Sequence, residues 1–191
     1  AARQFLDSLP QAARFPSVRH LVPSGPIYRT DLDRFWLHFP NCKLLSHMGS
    51  SETGVIAQMV VTPATQFAGN VVPLGFPVED KEVLILDETG ATLPAGHIGE
   101  IAIRSRFLST GYWRRPDLTA KVFLPDPEGG DRRIYRMGDL GRTTNEGYLE
   151  YLGRRDAQLK IRGYRVEISE VEAAFHRQQG VKEVAVAARE S

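Results

Sequence analysis

The chain has 191 residues, of which 42% are hydrophobic and 25% are charged, a balance typical of a folded globular protein. The formal net charge of +1 and the lack of any apolar run near the roughly 20 residues that span a bilayer give no case for binding nucleic acid or a membrane. The single cysteine, Cys42, excludes an internal disulfide and a cysteine metal cluster, so composition predicts a soluble cytoplasmic protein.

Residues 1–70 have the pattern of an α/β segment. The opening "AARQFLDSLPQAARF" predicts an amphipathic helix and not a signal peptide, because it has no sustained apolar stretch. "TDLDRFWLHFP" predicts a helix that begins at a capping Thr30 or Asp31 and ends at Pro40. "CKLLSHMG" then predicts a short strand that runs into a loop of small residues, with "SETGVIAQMVV" after it.

Residues 71–153 have a different texture. Short β-branched runs such as "KEVLILD" and "GEIAIRS" alternate with turns rich in Gly, Asp and Asn, which predicts a small antiparallel sheet or a distorted β-barrel. "DPEGGDRR" lacks the carboxylate spacing of a calcium site and indicates a hairpin turn. We expect the large aromatic residues Trp36, Trp113 and Phe123 to lie in the core.

After Gly153 the pattern changes to a hairpin, a helix and a strand, which predicts a lobe boundary near residues 153–156. The first lobe would be residues 1–153 and the second residues 154–191. The second lobe is too short to bury a core alone, so we expect that the chain is part of something longer or is completed by another chain.

Four stretches carry a family resemblance: "HMGSSETG" (47–54), "GEIAIRSRFLSTGYWRRPDLTAKVF" (99–123), "YRMGDLGR" (135–142) and "GRRDAQLKIRGYRVEISEVE" (153–172). Together they closely resemble core motifs of the adenylate-forming superfamily, and most of all those of nonribosomal peptide synthetase adenylation domains. The resemblance implies an α/β lobe with a small distorted antiparallel β-barrel, followed by the start of an α+β C-terminal lobe. It also implies activation of a carboxylic acid with ATP to an acyl-AMP and pyrophosphate, and transfer of the acyl group to the phosphopantetheine thiol of a carrier-protein domain or to coenzyme A.

Asp139 follows a glycine, a pairing that usually marks a tight turn. The resemblance implies a second role, in which its carboxylate accepts hydrogen bonds from the two ribose hydroxyls of the nucleotide. It also implies that Glu52 is a ligand of Mg²⁺, an ion that prefers hard oxygen donors. Ser51 stands where the family has a threonine that bonds the phosphate; the alternative for this stretch is a polar turn.

Three further nucleotide contacts are implied by the resemblance. Arg154 would reach the ribose and phosphate region, and Tyr151 would lie beside the nucleoside; the alternatives are a surface arginine and a core tyrosine. Met48 departs from the aromatic residue that usually precedes Gly49 and packs on adenine. A thioether can also cover a ring face, so this departure bears on nucleotide affinity and not on the reaction.

The resemblance also places five residues in an acyl pocket: Val22, Ser24, His47, Val55 and Ile56. His47 could polarise a substrate group there, and the alternative is a hydrogen-bonded structural histidine. Asp156 matches the hinge about which the small lobe rotates between the two half-reactions. Lys160 and Gly163 match a loop that enters the site in the thiolation state, although Lys160 alone has the pattern of a surface lysine.

Several family features lie outside these residues. No Gly-rich phosphate loop with its lysine occurs, and the family's terminal catalytic lysine would lie beyond Ser191. We therefore expect a fragment that lacks the N-terminal part and the C-terminal end of an adenylation domain, holds no catalytic residue and is inactive alone. The alternatives are a stand-alone acyl-CoA synthetase or fatty-acyl-AMP ligase, and a non-catalytic fragment that binds nucleotide or a partner.

Overall fold

The structure, a computed structural model, describes residues 2–23, 27–155, 158–161 and 164–167, together with the single positions 171, 174, 175, 181 and 186. The chain divides into two compact units, Ala1–Gly153 and Arg154–Ser191. The first unit has mixed α/β architecture, as the sequence predicts.

The N-terminal part of the first unit is a four-stranded sheet with helices packed on it. The strands are ordered β1 (His20–Leu21), β2 (Lys43–Ser50), β3 (Gly54–Val61) and β4 (Phe76–Pro77). β1 is parallel to β2, and the other two pairings are antiparallel. Helices α1 (Ala2–Ser8) and α2 (Arg29–His38) join this sheet in one hydrophobic cluster, which includes Leu6, Phe35, Leu44 and Val61.

The ends of both helices differ from the sequence prediction. α1 ends at Ser8, well before the predicted segment does, because Pro10 has no N–H and disfavours helical geometry at the residue before it. α2 begins at Arg29 after Tyr28, and no side chain caps it, so the predicted capping by Thr30 or Asp31 is wrong. The stop before Pro40 is confirmed.

The second sheet of the first unit is antiparallel and carries the "YRMGDLGR" motif. Its strands β5 (Glu82–Leu86), β6 (Gly99–Ser105), β7 (Phe123–Pro125) and β8 (Arg133–Thr143) are ordered β5-β6-β8-β7, and β9 (Leu149–Arg154) also pairs with β8. Helix α3 (Pro116–Val122) connects β6 to β7. Among the described residues this sheet is open, with β5 and β7 at its edges, so the predicted barrel is not confirmed.

Main-chain hydrogen bonds join the two sheets at one point. The N–H of Leu149 donates to the carbonyl of Gly75 at 2.8 Å, and the carbonyl of Leu149 accepts from Leu74 at 2.9 Å. Gly75 has φ +96°, and a Cβ there would overlap the backbone of Gln58 in β3. A glycine is therefore needed where the chain passes between the sheets.

The main core lies where the two sheets meet, and it contains Ile56, Ile101, Ile103, Phe123, Tyr135, Met137 and Leu149. Phe123 is in this core and Trp36 packs against the first cluster, but the prediction that Trp113 is a core residue is wrong. Trp113 is 85% exposed, because it lies in the loop between β6 and α3 and not on a buried face. The antiparallel pairing of β7 with β8 confirms the predicted hairpin at "DPEGGDRR".

The described residues of the second unit include an antiparallel hairpin. β10 (Gln158–Ile161) pairs with β11 (Tyr164–Glu167), with Gln158 opposite Glu167.

In the described part of the chain, none of the helices has the length and apolar character needed to cross a membrane.

Candidate functional site

Glu52 lies at the tip of the hairpin formed by β2 and β3. Ser50 pairs with Gly54, so residues 51–53 alone form the connection. The Thr53 hydroxyl closes this turn by accepting from the Ser50 N–H at 3.3 Å and donating to the Gly54 carbonyl at 2.8 Å. Gly54 has φ +66°, which glycine adopts without strain. The turn holds Glu52 with only 7% of its surface exposed, while Ser51 beside it is exposed.

A β-bulge follows the turn and sets the side-chain directions in β3. Met48 pairs with Ala57 but Gly49 pairs with Val55, so Ile56 is the extra residue. A Cβ on Gly49 would overlap the main chain of the facing strand. A glycine at this position is therefore needed for the two strands to meet at the bulge.

The bulge separates two of the residues predicted for an acyl pocket. Ile56 is fully buried in the core, whereas Val55 is 41% exposed. His47 pairs with Gln58 on the outward face of the hairpin, and its buried Nδ1 has no hydrogen-bond partner among the described residues. His47 and Val55 thus share a face that Ile56 does not share. Val22 lies exposed just after β1, and Ser24 lies outside the described residues.

Glu52 is connected to β8 through two tyrosines that the sequence did not single out. The Tyr112 hydroxyl donates to Glu52 Oε1 at 2.9 Å and lies 3.4 Å from the Tyr135 hydroxyl. Tyr135 is on β8, four residues before Asp139, and is buried in the main core. The two carboxylates predicted for metal and ribose are therefore carried by elements that share one hydrogen-bond network.

Asp139 follows an irregular point in β8. Ala102 of β6 pairs with Arg136, but Glu100 pairs with Leu140, so β8 has extra residues between these two pairs. Gly138 lies within this interruption with φ +70°, a conformation that favours glycine. Asp139 comes next and is buried, with 7% of its surface exposed.

Glu100 stabilises this interruption from β6. Its carboxylate is buried and accepts hydrogen bonds from the Gly138 N–H at 3.2 Å and from the guanidinium of Arg136, whose Nε is 3.1 Å away. Sequence reasoning missed this residue, although an acid within the apolar strand "GEIAIRS" was a signal. A buried charge in a strand needs partners, and here they are the main chain and side chain that precede Asp139.

The remaining nucleotide candidates lie in different places. Met48 packs against the core cluster that contains Tyr135 and Met137. Tyr151 is half-buried on β9. Arg154 is the last residue of β9 and the first residue of the second unit.

The candidates for domain movement lie in the second unit. Lys160 is in β10 opposite Arg165. Asp156 and Gly163 lie outside the described residues.

This region presents two buried carboxylates, Glu52 at the hairpin tip and Asp139 on β8. Carboxylates can accept hydrogen bonds from hydroxyls and can bind a hard cation. In the described residues, no group of three or more His, Cys, Asp or Glu side chains is placed to hold a metal ion. A single buried carboxylate such as Glu52 would suit a cation that takes most of its ligands from bound phosphates and water.

Comparison with known proteins assigns the family. The model of the AMP-binding enzyme family matches residues 1–113, which is more than half of the chain. The chain therefore belongs to the AMP-binding enzyme family. Relatives include tyrocidine synthase 1 of Brevibacillus parabrevis, 34% identical over 93% of this chain and 16% of that protein. Gramicidin S synthase 2 of Aneurinibacillus migulanus is 37% identical over 91% of this chain and 4% of that protein.

Solved structures with a similar fold support the same family. PA1221, an NRPS protein containing adenylation and PCP domains, is 30% identical with a TM-score of 0.77, over 91% of this chain and 36% of that one. The Vibrio cholerae adenylation domain AlmE in complex with glycyl-adenosine-5′-phosphate is 27% identical with a TM-score of 0.75, over 92% of this chain and 33% of that one. The chain thus resembles adenylation domains along most of its length, and spans about a third of these solved chains.

Proposed function

We propose that the complete protein activates an amino acid or a related carboxylic acid with ATP. In this reaction a carboxylate oxygen of the acid attacks the α-phosphorus, the acyl-AMP ester forms, and pyrophosphate leaves. Membership of the AMP-binding family and similarity to peptide synthetases support the reaction class. The observation that carries the assignment to this chain is the pair of buried carboxylates, Glu52 and Asp139, on elements connected through Tyr112 and Tyr135.

Nucleotide binding would centre on Asp139. An ionised carboxylate accepts two hydroxyl hydrogen bonds at once, each worth about 1.5–3 kcal/mol. Its burial supports this role, because such bonds are stronger away from water. Met48 and Tyr151 would flank the nucleoside, and Gly49 would also belong to the nucleotide site. Arg154 would contact the ribose and phosphate region, and Ser51 would bind the phosphate.

Mg²⁺ would be held by Glu52, whose carboxylate is buried at the tip of the hairpin. When bound, the ion neutralises charge on the triphosphate that would repel the attacking carboxylate. The protein's own contribution is the hydrogen-bonded turn of residues 51–53, which fixes the backbone that carries Glu52.

The acid would bind beside the outward face of the hairpin. His47 and Val55 share this face, and Val22 and Ser24 would extend the pocket. The buried, unpartnered Nδ1 of His47 favours a substrate with a polar group that can hydrogen-bond to it, because an unsatisfied buried polar atom is costly. Ile56 would support this face from the core side.

The acceptor in the second half-reaction would be the phosphopantetheine thiol of a carrier-protein domain. The thiolate attacks the acyl carbonyl carbon, the thioester forms, and AMP leaves. Similarity to PA1221, which contains adenylation and PCP domains, supports this acceptor. Asp156 would act as the hinge between the two half-reactions, with Lys160 and Gly163 on the loop that then enters the site.

The experiment that tests the proposal is acid-dependent ATP–pyrophosphate exchange by the complete protein. A panel of amino, aryl and fatty acids should give exchange with at least one acid, and Glu52→Gln and Asp139→Ala should each remove most of it. Glu88→Ala, in an exposed turn between β5 and β6, is the matched control and should leave exchange unchanged. Exchange with no acid, or full exchange in both site variants, would contradict the proposal.

A further inference from the structure

The loop between β6 and α3 contacts Glu52 at two points. The Ser109 N–H donates to the main-chain carbonyl of Glu52 at 2.8 Å. The Tyr112 hydroxyl donates to Glu52 Oε1 at 2.9 Å. One loop therefore fixes both the backbone and the side chain of the candidate metal ligand.

Tyr112 is itself held by helix α3. Its N–H donates to Thr119 Oγ1 at 2.9 Å, and that hydroxyl donates to the carbonyl of Arg115 at 2.9 Å. Gly111, with φ +134°, lets the loop approach, since a Cβ there would lie 2.8 Å from Thr119 Oγ1. The Tyr112 ring also packs edge-on against Phe123, with ring centroids 5.8 Å apart.

The rest of the loop is held by Arg133, at the start of β8. Its guanidinium donates to the carbonyls of Leu108, Ser109 and Thr110, at 3.3, 2.6 and 3.4 Å. The same guanidinium lies over the ring of Phe123, 5.3 Å from the ring centroid. The loop is thus held from α3 and from β8, so the direction of the Tyr112 hydroxyl is fixed before any ligand binds.

We propose that Tyr112 is a positioning residue for Glu52. Its hydroxyl holds the Glu52 carboxylate in the orientation that binds Mg²⁺. This inference rests on the proposed function, because it assumes that Glu52 is the metal ligand. A glutamate side chain at a hairpin tip has several rotamers, and a hydrogen bond to one carboxylate oxygen selects among them. Partners that orient a metal ligand in this way typically contribute about 10–100-fold in metal affinity or activity.

The test is Tyr112→Phe in the complete protein, which removes the hydroxyl and keeps the ring. Mg²⁺ is titrated by calorimetry into protein saturated with a non-hydrolysable ATP analogue, and the Mg²⁺ dependence of exchange is measured in parallel. We expect Mg²⁺ binding to weaken about tenfold or more, with analogue affinity in EDTA and the unfolding midpoint little changed. Tyr135→Phe, which leaves the Tyr112–Glu52 bond in place, should give a smaller shift.

Tyr148→Phe is the matched control, because this tyrosine packs on Phe76 and lies outside the network. Unchanged Mg²⁺ affinity in Tyr112→Phe, with Mg²⁺ binding lost in Glu52→Gln, would overturn the positioning role and leave the proposed function standing. Unchanged Mg²⁺ affinity in Glu52→Gln as well would overturn the metal assignment. If Tyr112→Phe does not fold, Thr119→Val decides, because it frees the Tyr112 backbone without touching Glu52 and should also weaken Mg²⁺ binding.

Discussion

The buried carboxylate of Glu100 accepts a hydrogen bond from the backbone N–H of Gly138, 3.2 Å away, immediately before Asp139. Glu100→Ala would leave that N–H and the Arg136 guanidinium without this acceptor. We expect a loss of about 1–3 kcal/mol in stability, because two donors on half-buried residues lose this acceptor. AMP affinity should fall as well, although Asp139 is intact, and both are measured by urea unfolding and calorimetry.

Glu88→Ala, at an exposed turn position, controls for the loss of an acidic side chain. A Glu100→Ala protein that is as stable as this control and binds AMP equally well would show that Glu100 does not support the interruption in β8.

Asp139→Ala in the complete protein should weaken ATP binding and slow adenylation by ~100-fold or more, which corresponds to two charge-assisted hydrogen bonds of about 1.5–3 kcal/mol each. The protein should stay folded, since Glu100 accepts a hydrogen bond from the main chain of β8 at Gly138. Binding calorimetry and exchange kinetics check the result. Wild-type kinetics would show that Asp139 is a structural residue of β8 and not a nucleotide contact.

Gly49→Ala should destabilise the protein more than Gly129→Ala. Gly129 lies in the β7–β8 connection with φ +78° and open space around it, so its substitution costs about 1–2 kcal/mol of backbone strain. At Gly49 the added methyl would also overlap the facing strand, so the turn that holds Glu52 must move. Urea midpoints of the two variants check the order, and equal midpoints would show that the hairpin accommodates the methyl group.

Burial raises the pKa of the Cys42 thiol above its usual value. The thiolate fraction at a given pH is therefore lower in the folded protein, and alkylation at pH 8.5 should be slower than for a free thiol. The raised thiol pKa also makes stability depend on pH. Its contribution to the free energy of unfolding is present below the thiol pKa of the unfolded chain and is lost as pH rises through the thiol pKa of the folded protein. Mass spectrometry of the Cys42 peptide after timed alkylation checks the rate, with the urea-unfolded protein as control.

The proposed hinge has its own expected outcome. Asp156→Pro fixes φ near −65° and removes a hydrogen-bond donor, so it should restrict rotation at this position. Adenylation and thiol transfer should then be impaired unequally, measured as exchange and as loading of a carrier domain. Equal loss of both half-reactions in a folded protein would argue against a hinge at Asp156.

Local patterns predicted much of the fold. Runs of β-branched residues bounded by Gly and Asp gave most of the strands in the second sheet, and the "DPEGGDRR" hairpin was predicted from turn chemistry alone. Trp113 was misplaced because hydrophobicity does not distinguish a core strand from a loop, and here the next residue, Arg114, has φ +54°. The predicted cap of α2 was wrong because Tyr28 occupies the N-cap position, so Thr30 and Asp31 lie inside the helix.

The contacts that support the candidate site could not be predicted from local sequence patterns. Tyr112 meets Glu52 across 60 residues of sequence, and Glu100 meets Gly138 across 38, so neither contact leaves a local signature. The bulge at Ile56 also breaks the strict alternation on which strand faces are predicted, placing consecutive residues Ile56 and Ala57 both inward. Motif residues were visible in the sequence, but the residues that hold them in place were not.

The bonds between Leu149 and residues 74–75 connect the two sheets of the first unit, so we expect the sheets to open together. Leu149 is buried in the shared core, so its amide can exchange with solvent only when both sheets separate. Hydrogen exchange at Leu149 would therefore report the free energy of that joint opening. A ligand bound to the hairpin or to β8 alone should slow exchange on both sides of the junction.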